Sequence, residues 1–206
     1  MNATKPYSEA CERNREPILA VLREVFAGVP GVPDVRMVLE IGSGTGQHAA
    51  YFAAGLPHVT WQASDRAEHH AGINAWIDDA ACSNLLRPLL LDVRDVQWPV
   101  TAVDAVYTAN TLHIMDNASV EATFRGVGRI LRDGGTLVAY GPFNYNGAFT
   151  SDSNARFDSI LRARGVGSAL RDFEMVDGLA RDAGLTLLRD VTMPANNRTL
   201  VWRKTA

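Results

Sequence analysis

The chain is poor in the residues that build cross-links and metal sites. Two cysteines occur in 206 residues, Cys11 and Cys82, with no CxxC pair, too few for a disulfide framework or a zinc site. Both read as reduced thiols that pack as small hydrophobes rather than as ligands for a soft metalloid. None of the five histidines stands at a chelating spacing, and the adjacent His69 and His70 point to different faces of a helix. No metal is expected. Basic charge is also scarce: Lys and Arg total 20 against 23 Asp and Glu, for a formal net charge of −3. Without a dense basic block there is no footprint for a phosphate backbone, so nucleic acid is not an expected partner. Long apolar runs are missing too. The leucine-rich run Leu85 to Leu91 is broken by Arg87 and Pro88, and no run is long enough to cross a bilayer. The first residues are polar, with no hydrophobic signal region, and the expected location is the cytoplasm. No repeat or low-complexity segment is apparent.

What is present is 47% hydrophobic residue content, enough for one sizeable core, and a single domain over residues 1–206 is expected. Glu9 to Phe26 has a helical period in Ile18, Leu19, Leu22, Val25 and Phe26, with Pro17 an interruption or a first-turn residue, so one or two helical pieces are expected. Gly28 to Asp34, with two prolines and two glycines, reads as a connector. Beyond it, apolar runs near 37–41, 59–63, 87–91, 105–108 and 136–140 alternate with helical patterns near 47–54, 68–79, 120–131 and 172–183. Such alternation buries a parallel sheet between helix layers, an α/β doubly wound, Rossmann-like fold. Leu185 to Met193 and Thr199 to Arg203 flank Pro194-Ala195-Asn196-Asn197 with no helix between them, which reads as a C-terminal antiparallel hairpin on a sheet edge.

The strongest chemical signal is Glu40-Ile41-Gly42-Ser43-Gly44-Thr45-Gly46, where the first apolar run enters a glycine-rich turn that opens a helix. Gly42 and Gly44 tolerate positive φ and leave the backbone bare toward a ligand, and the helix N-terminus adds free N–H groups. A dinucleotide is the obvious competitor for this turn. Its fingerprint needs a small residue at position 47, where this chain has Gln47, and Glu40 at the strand end would repel a pyrophosphate. A ligand bearing an amine suits Glu40 better. Asp65, about 19 residues after Gly46, closes the second run at the spacing of an acid that accepts ribose hydroxyls, or else caps the following helix. Asp92 follows the third run, where its carboxylate or the N–H of Val93 reads an adenine edge, or else it caps a turn.

With the acid ending strand two, Asp92 after strand three and the terminal hairpin, this pattern resembles the class I S-adenosylmethionine-dependent methyltransferases from Met37 onward. More narrowly, Glu12-Arg13-Asn14, Trp61-Gln62-Ala63-Ser64-Asp65, Tyr140-Gly141-Pro142-Phe143, Ser153-Asn154 with Phe157-Asp158, Arg171-Asp172 and Pro194 to Asn197 are similar to a bacterial and animal subfamily described only as methyltransferase-like. The chain departs from that subfamily at His113 to Asn117 and at Arg164 to Leu170, both where an acceptor would be held.

The resemblance implies the class I fold, a mixed seven-stranded sheet, and S-adenosyl-L-methionine as cofactor, with S-adenosyl-L-homocysteine as product. It places Gly42, Ser43, Gly44 and Gly46 under the methionine part, Glu40 at its ammonium, Asp65 at the ribose, Asp92 and Val93 at the adenine and Asn110 beside the sulfonium. Among catalytic candidates, His113 has a pKa suited to a general base and Tyr140 ends strand five at the acceptor pocket; the alternatives are a histidine holding a loop carbonyl and an aromatic that only packs. Arg13, Asn14, Asn154, Arg171 and Asn196 are the substrate-binding candidates. Asn197, by contrast, reads as a turn residue tolerant of left-handed backbone. Residues 1–34 are expected to form a helix and connector that fold over the cofactor as a lid, or else an ordinary solvated face.

The expected reaction is methyl transfer to an oxygen, nitrogen or sulfur of a small-molecule acceptor by a monomer or homodimer. The alternatives are an NAD(P)-dependent oxidoreductase and a non-catalytic S-adenosylmethionine-binding protein.

Overall fold

The computed structural model describes residues 5–27, 35–165 and 167–205; the connector expected at 28–34 lies outside them. Ser8 opens the first helix, α1 (Glu9–Phe26), by accepting the N–H of Cys11 on its hydroxyl. Pro17 lies inside α1, so the helix is one piece that lacks the bond proline would have donated to the carbonyl of Arg13. Its apolar stripe, Ile18, Leu19, Leu22 and Phe26, is fully buried.

The sheet follows in the order the alternation requires. Strands β1 (Met37–Ile41), β2 (Thr60–Asp65), β3 (Leu85–Leu90), β4 (Val103–Ala109) and β5 (Leu131–Gly141) are parallel, separated by α2 (Gln47–Gly55), α3 (His70–Ala80) and α4 (Asn117–Ile130). A short 3-10 turn, Ala67–His69, precedes α3. A two-residue strand β6 (Phe143–Asn144), helix α5 (Asp152–Arg162), a two-residue strand β7 (Arg171–Asp172) and α6 (Phe173–Asp182) come next. The chain ends in the antiparallel pair β8 (Leu185–Met193) and β9 (Asn197–Lys204), joined by the 3-10 turn Pro194–Asn196.

The seven-stranded order is β3-β2-β1-β4-β5-β9-β8, and β6 pairs with β7 in a separate ladder. The hairpin thus extends the sheet at the β5 side, and β8 is the edge. Strand residues alternate between two cores, as a sheet covered on both faces demands. Val38, Tyr107, Val138 and Val201 face the layer of α1, α2 and α3, whereas Leu39, Val106, Leu137 and Leu200 face α4 and α6. No helix among the described residues is long and apolar enough to cross a membrane.

Two features differ from the sequence expectation. Helix α5 turns Asn154, Asp158 and Leu161 inward, so its buried face is mostly polar and leaves no apolar period to read. Strand β5 begins five residues before the expected run, because Arg132 to Gly135 carry strand geometry without apolar character.

Because β1 to β5 run parallel, their carboxyl ends lie along one rim, and the sheet order reverses between β1 and β4. That reversal leaves a crevice where ligands bind in such sheets.

Packing of α4 rests on one small residue. A Cβ on Gly126 would stand 2.0 Å from Cζ2 of the buried Trp98 indole. Gly126→Ala is therefore expected to destabilise the protein by about 1–2 kcal/mol, despite the better helix propensity of alanine. Urea unfolding checks this, with Trp98→Leu recovering part of the loss; a midpoint for Gly126→Ala at or above that of the parent contradicts the packing account.

Candidate functional site

At the end of β1 the backbone takes positive φ at Gly42 (73°), Gly44 (56°) and Gly46 (90°). Packing accounts for two of these glycines. A Cβ on Gly42 would lie 2.7 Å from Thr111 Cγ2, and one on Gly46 would lie 2.8 Å from Ile73 Cα, where α2 crosses α3. At Gly44 the nearest atom would be a carbonyl oxygen at 4.0 Å, so this glycine alone turns a bare face to open space. The turn is held from β2: the N–H groups of Gly42 and Ser43 donate to the Ser64 carbonyl at 3.1 and 3.0 Å, and that of Gly44 donates to Asp65 Oδ2 at 2.7 Å.

Beneath the turn, Glu40 is 2% exposed and accepts from Ser43 Oγ at 2.8 Å and from Trp61 Nε1 at 3.1 Å. Burial pushes its pKa up to about 7 against the pull of these two hydrogen bonds, and the nearby Asp65 adds to the rise.

Gln47 does more than displace a small residue. Its Oε1 accepts the N–H of Ser8, and its Nε2 donates to the Ser8 carbonyl at 3.3 Å. The position that a dinucleotide fingerprint keeps small thus latches the start of α1 onto the glycine turn. The latch is extended by Trp76 Nε1, which donates to the Pro6 carbonyl at 2.7 Å, and by the Lys5–Asp79 ion pair. Because its second half is core, α1 is not a lid as a whole; only its first half covers the crevice.

Two cavities open at the rim and share Gly42, Gly44, Thr111 and Ile114. The first, of about 780 Å³, is lined by Asp65, Asp92 and Val93. The second, of about 920 Å³, is lined by Arg13, Asn14, Glu40, Ser43, Asn110, His113, Tyr140 and Asn154.

Of the alternatives left open for the acids, the helix cap is not realised by Asp65. Its Oδ1 takes the adjacent Arg66 N–H, and the turn that follows has no side-chain cap. Asp92 is exposed and does cap its turn, accepting the N–H of Arg94 at 3.0 Å, while still lining the first cavity. Asn110 is held in left-handed backbone (φ 56°) by donating its N–H to the Tyr140 carbonyl at 2.9 Å.

Three expected site residues lie outside both cavities. Gly46 serves the packing of α2 on α3. Asn196 turns its amide to Ser153 Oγ at 3.2 Å, and its carbonyl accepts from Asn154. Arg171 is buried, with its guanidinium spent on the carbonyls of Leu112, Met115 and Gly167 and on the Asn117 side chain. It shapes the loop that carries His113 rather than reaching a ligand. Asn197 lines the larger cavity, but its amide caps the hairpin turn by donating to the carbonyls of Pro194 and Ala195.

His113 is 6% exposed, with Phe157 of α5 edge-on at 5.3 Å. Burial, then the charges of Arg171 and Arg164, lower its pKa to about 4, so the ring is neutral at physiological pH. Tyr140 is pushed up by burial, opposed by a hydrogen bond from Asn14.

His48 was not legible in the sequence. It stands in the first turn of α2, stacks on Phe52 at 4.9 Å and approaches Asn14 Oδ1 with Nε2 at 2.7 Å. Burial lowers its pKa to about 4, so a neutral ring donates to Asn14, whose amide nitrogen is then free for Tyr140. Its one sequence signal was its place directly after the glycine turn.

Solved structures similar to this fold include an O-methyltransferase family protein from Burkholderia thailandensis, with a TM-score of 0.82 and 19% identity over 96% of this chain and 58% of that one. The apo form of the S-adenosylmethionine-dependent methyltransferase SibL superposes with a TM-score of 0.79 at 18% identity, covering 96% of this chain and 56% of its own. PigF with SAH follows at 0.75 and 17%, covering 95% and 64%. The chain thus spans under two thirds of the length of these proteins, and at such identities the likeness shows the methyltransferase fold. A family model described as "Protein of unknown function (DUF938)" matches residues 5–204, and the chain belongs to that family.

Proposed function

We propose that this chain is an S-adenosylmethionine-dependent methyltransferase acting, as a single domain over residues 1–206, on an oxygen, nitrogen or sulfur of a small molecule. One observation carries the reading: the bare face of Gly44 lies where two cavities meet, with Asp65 and Asp92 lining one and Glu40, His113 and Tyr140 lining the other. The donor set fits a ligand with a nucleoside at one end and an amino acid at the other. The Asp65 carboxylate accepts hydroxyl hydrogens, Val93 offers an apolar wall, and Glu40 is a counterion for an ammonium. A similar structure named as an S-adenosylmethionine-dependent methyltransferase, and another holding SAH, support the same reading.

When bound, S-adenosylmethionine supplies a methyl group already activated by a sulfonium, so what remains for the protein is alignment and proton removal. Neutral His113 can accept a hydrogen bond from a hydroxyl, amine or thiol acceptor, but with its pKa lowered to about 4 it is a weaker base than the free imidazole the sequence led one to expect. Asn14, fixed by His48, and Tyr140 line the same cavity and can orient the acceptor molecule. The Gln47 latch and the first half of α1 cover one side of the larger cavity.

Asp65→Asn is expected to weaken S-adenosylmethionine and S-adenosylhomocysteine about 10- to 100-fold by calorimetric titration, the loss of hydrogen bonds to a charged acceptor. NADH is expected not to bind; binding of NADH alone would reject the proposal.

The second expectation concerns Glu40. Because its pKa is about 7 without an adjacent cation, an ammonium beside it favours the ionised form, and binding below pH 7 releases a proton. Affinity should therefore rise with pH, up to about tenfold per unit, and level off above 7. Titration in buffers of different ionisation enthalpy reads the released proton. Glu40→Gln should lose both the release and the slope, and an unchanged slope in that variant would show that Glu40 does not face the ammonium.

A further inference from the structure

The charges around the larger cavity are unevenly distributed. Glu40 is the one carboxylate lining it among the described residues, and it lies at the glycine turn, engaged by Ser43 and Trp61. The opposite end, around His113, holds cations without partners. Arg171 satisfies its hydrogen bonds on neutral oxygens and makes no ion pair among the described residues. Asp116 and Asp158 act on it from a distance. However, Asp116 is taken by Arg94 and the Ser119 N–H, and Asp158 by Arg162 and the Leu170 N–H.

Carbonyl groups replace the hydration of a buried guanidinium but do not cancel its charge, so positive potential persists at the loop it supports. Arg164 lines the cavity at the end of α5 and likewise makes no ion pair among the described residues. Both charges reach His113, as its lowered basicity records. Arg13 at the rim is offset by Glu9. Phe157 of α5, with the buried Leu161 one turn behind it, and the exposed Arg164 just beyond the helix end line one wall, an apolar surface and then a cation.

Resting on the methyltransferase reading above, we propose that the acceptor is a small organic carboxylate with an apolar body. The body lies against Phe157, and the carboxylate is drawn to Arg164 in the potential of Arg171. An amine in the same place meets two cations and no counterion.

The test is calorimetric titration of the protein saturated with S-adenosylhomocysteine, using three probes of one shape: 4-hydroxybenzoate, 4-hydroxybenzamide and 4-hydroxybenzylamine. The carboxylate is expected to bind about tenfold more tightly than the amide, with the amine weakest. Arg164→Gln should level the acid and the amide, and Arg164→Glu should place the amine above the acid. Transfer of labelled methyl from S-adenosylmethionine to the same probes gives a second readout and should follow the same order.

Equal or tighter binding of the amide or amine, binding of none of the three, or a carboxylate preference that survives Arg164→Glu overturns the inference. Failure of S-adenosylhomocysteine itself to bind overturns instead the reading beneath it.

Discussion

A carboxylate shut into the end of β1 governs the rest of this site. Glu40 is enclosed by Trp61 and Ser43, and its two hydrogen bonds only partly offset the cost of burying charge. Ser43 Oγ donates to that carboxylate and also accepts the N–H of Ser64, whose carbonyl holds the N–H groups of Gly42 and Ser43. The path of the glycine turn is thus tied to Glu40 through one hydroxyl. Leaving a buried acid near its titration point costs stability that a hydrophobic residue would not. That cost has a use if a cation completes the arrangement.

The two ends of the larger cavity then follow opposite logic. At the turn, an acid lacks a cation; at His113, cations lack an acid. A ligand pair with an ammonium at one end and an anion at the other would complete both, and the neutral groups between, Tyr140, Asn14 and His48, set orientation without adding charge. Neutrality there comes from desolvation, since both histidines are lowered chiefly by burial. Each neutral ring offers one N–H donor and one acceptor nitrogen for hydrogen bonding.

Residues with strong local causes were readable in the sequence. Met37 to Ile41 reads as a strand because both of its faces are buried, and the glycine turn because left-handed backbone selects its composition. The hairpin announced itself by two runs with no helix between them. What was unreadable depends on tertiary neighbours. Helix α5 hides because its inward face includes Asn154 and Asp158, and the His48–Asn14 contact joins residues 34 apart on two helices. Arg171 misled for a physical reason: a lone arginine in an apolar stretch needs many acceptors, and sequence cannot tell whether carbonyls or a ligand supply them. Gln47 was visible only as an obstacle to one cofactor, because the partner it latches, the Ser8 backbone, carries no side-chain signature.

The latch explains how one helix can be both core and cover. From Ile18 onward α1 is held by apolar burial, which water cannot replace. Before Pro17 the helix and the residues leading into it are held by polar contacts: the Ser8 backbone on Gln47, Pro6 on Trp76, Lys5 on Asp79, Asn14 on His48 and Glu16 on Tyr51. Water can exchange with each of these at little net cost. Proline marks the division, since it removes one of the hydrogen bonds that tie the two halves together, the one to the Arg13 carbonyl. Asn14 lies in the first half, where His48 of α2 approaches its Oδ1 at 2.7 Å, so the same segment that covers the cavity also carries one of its lining amides.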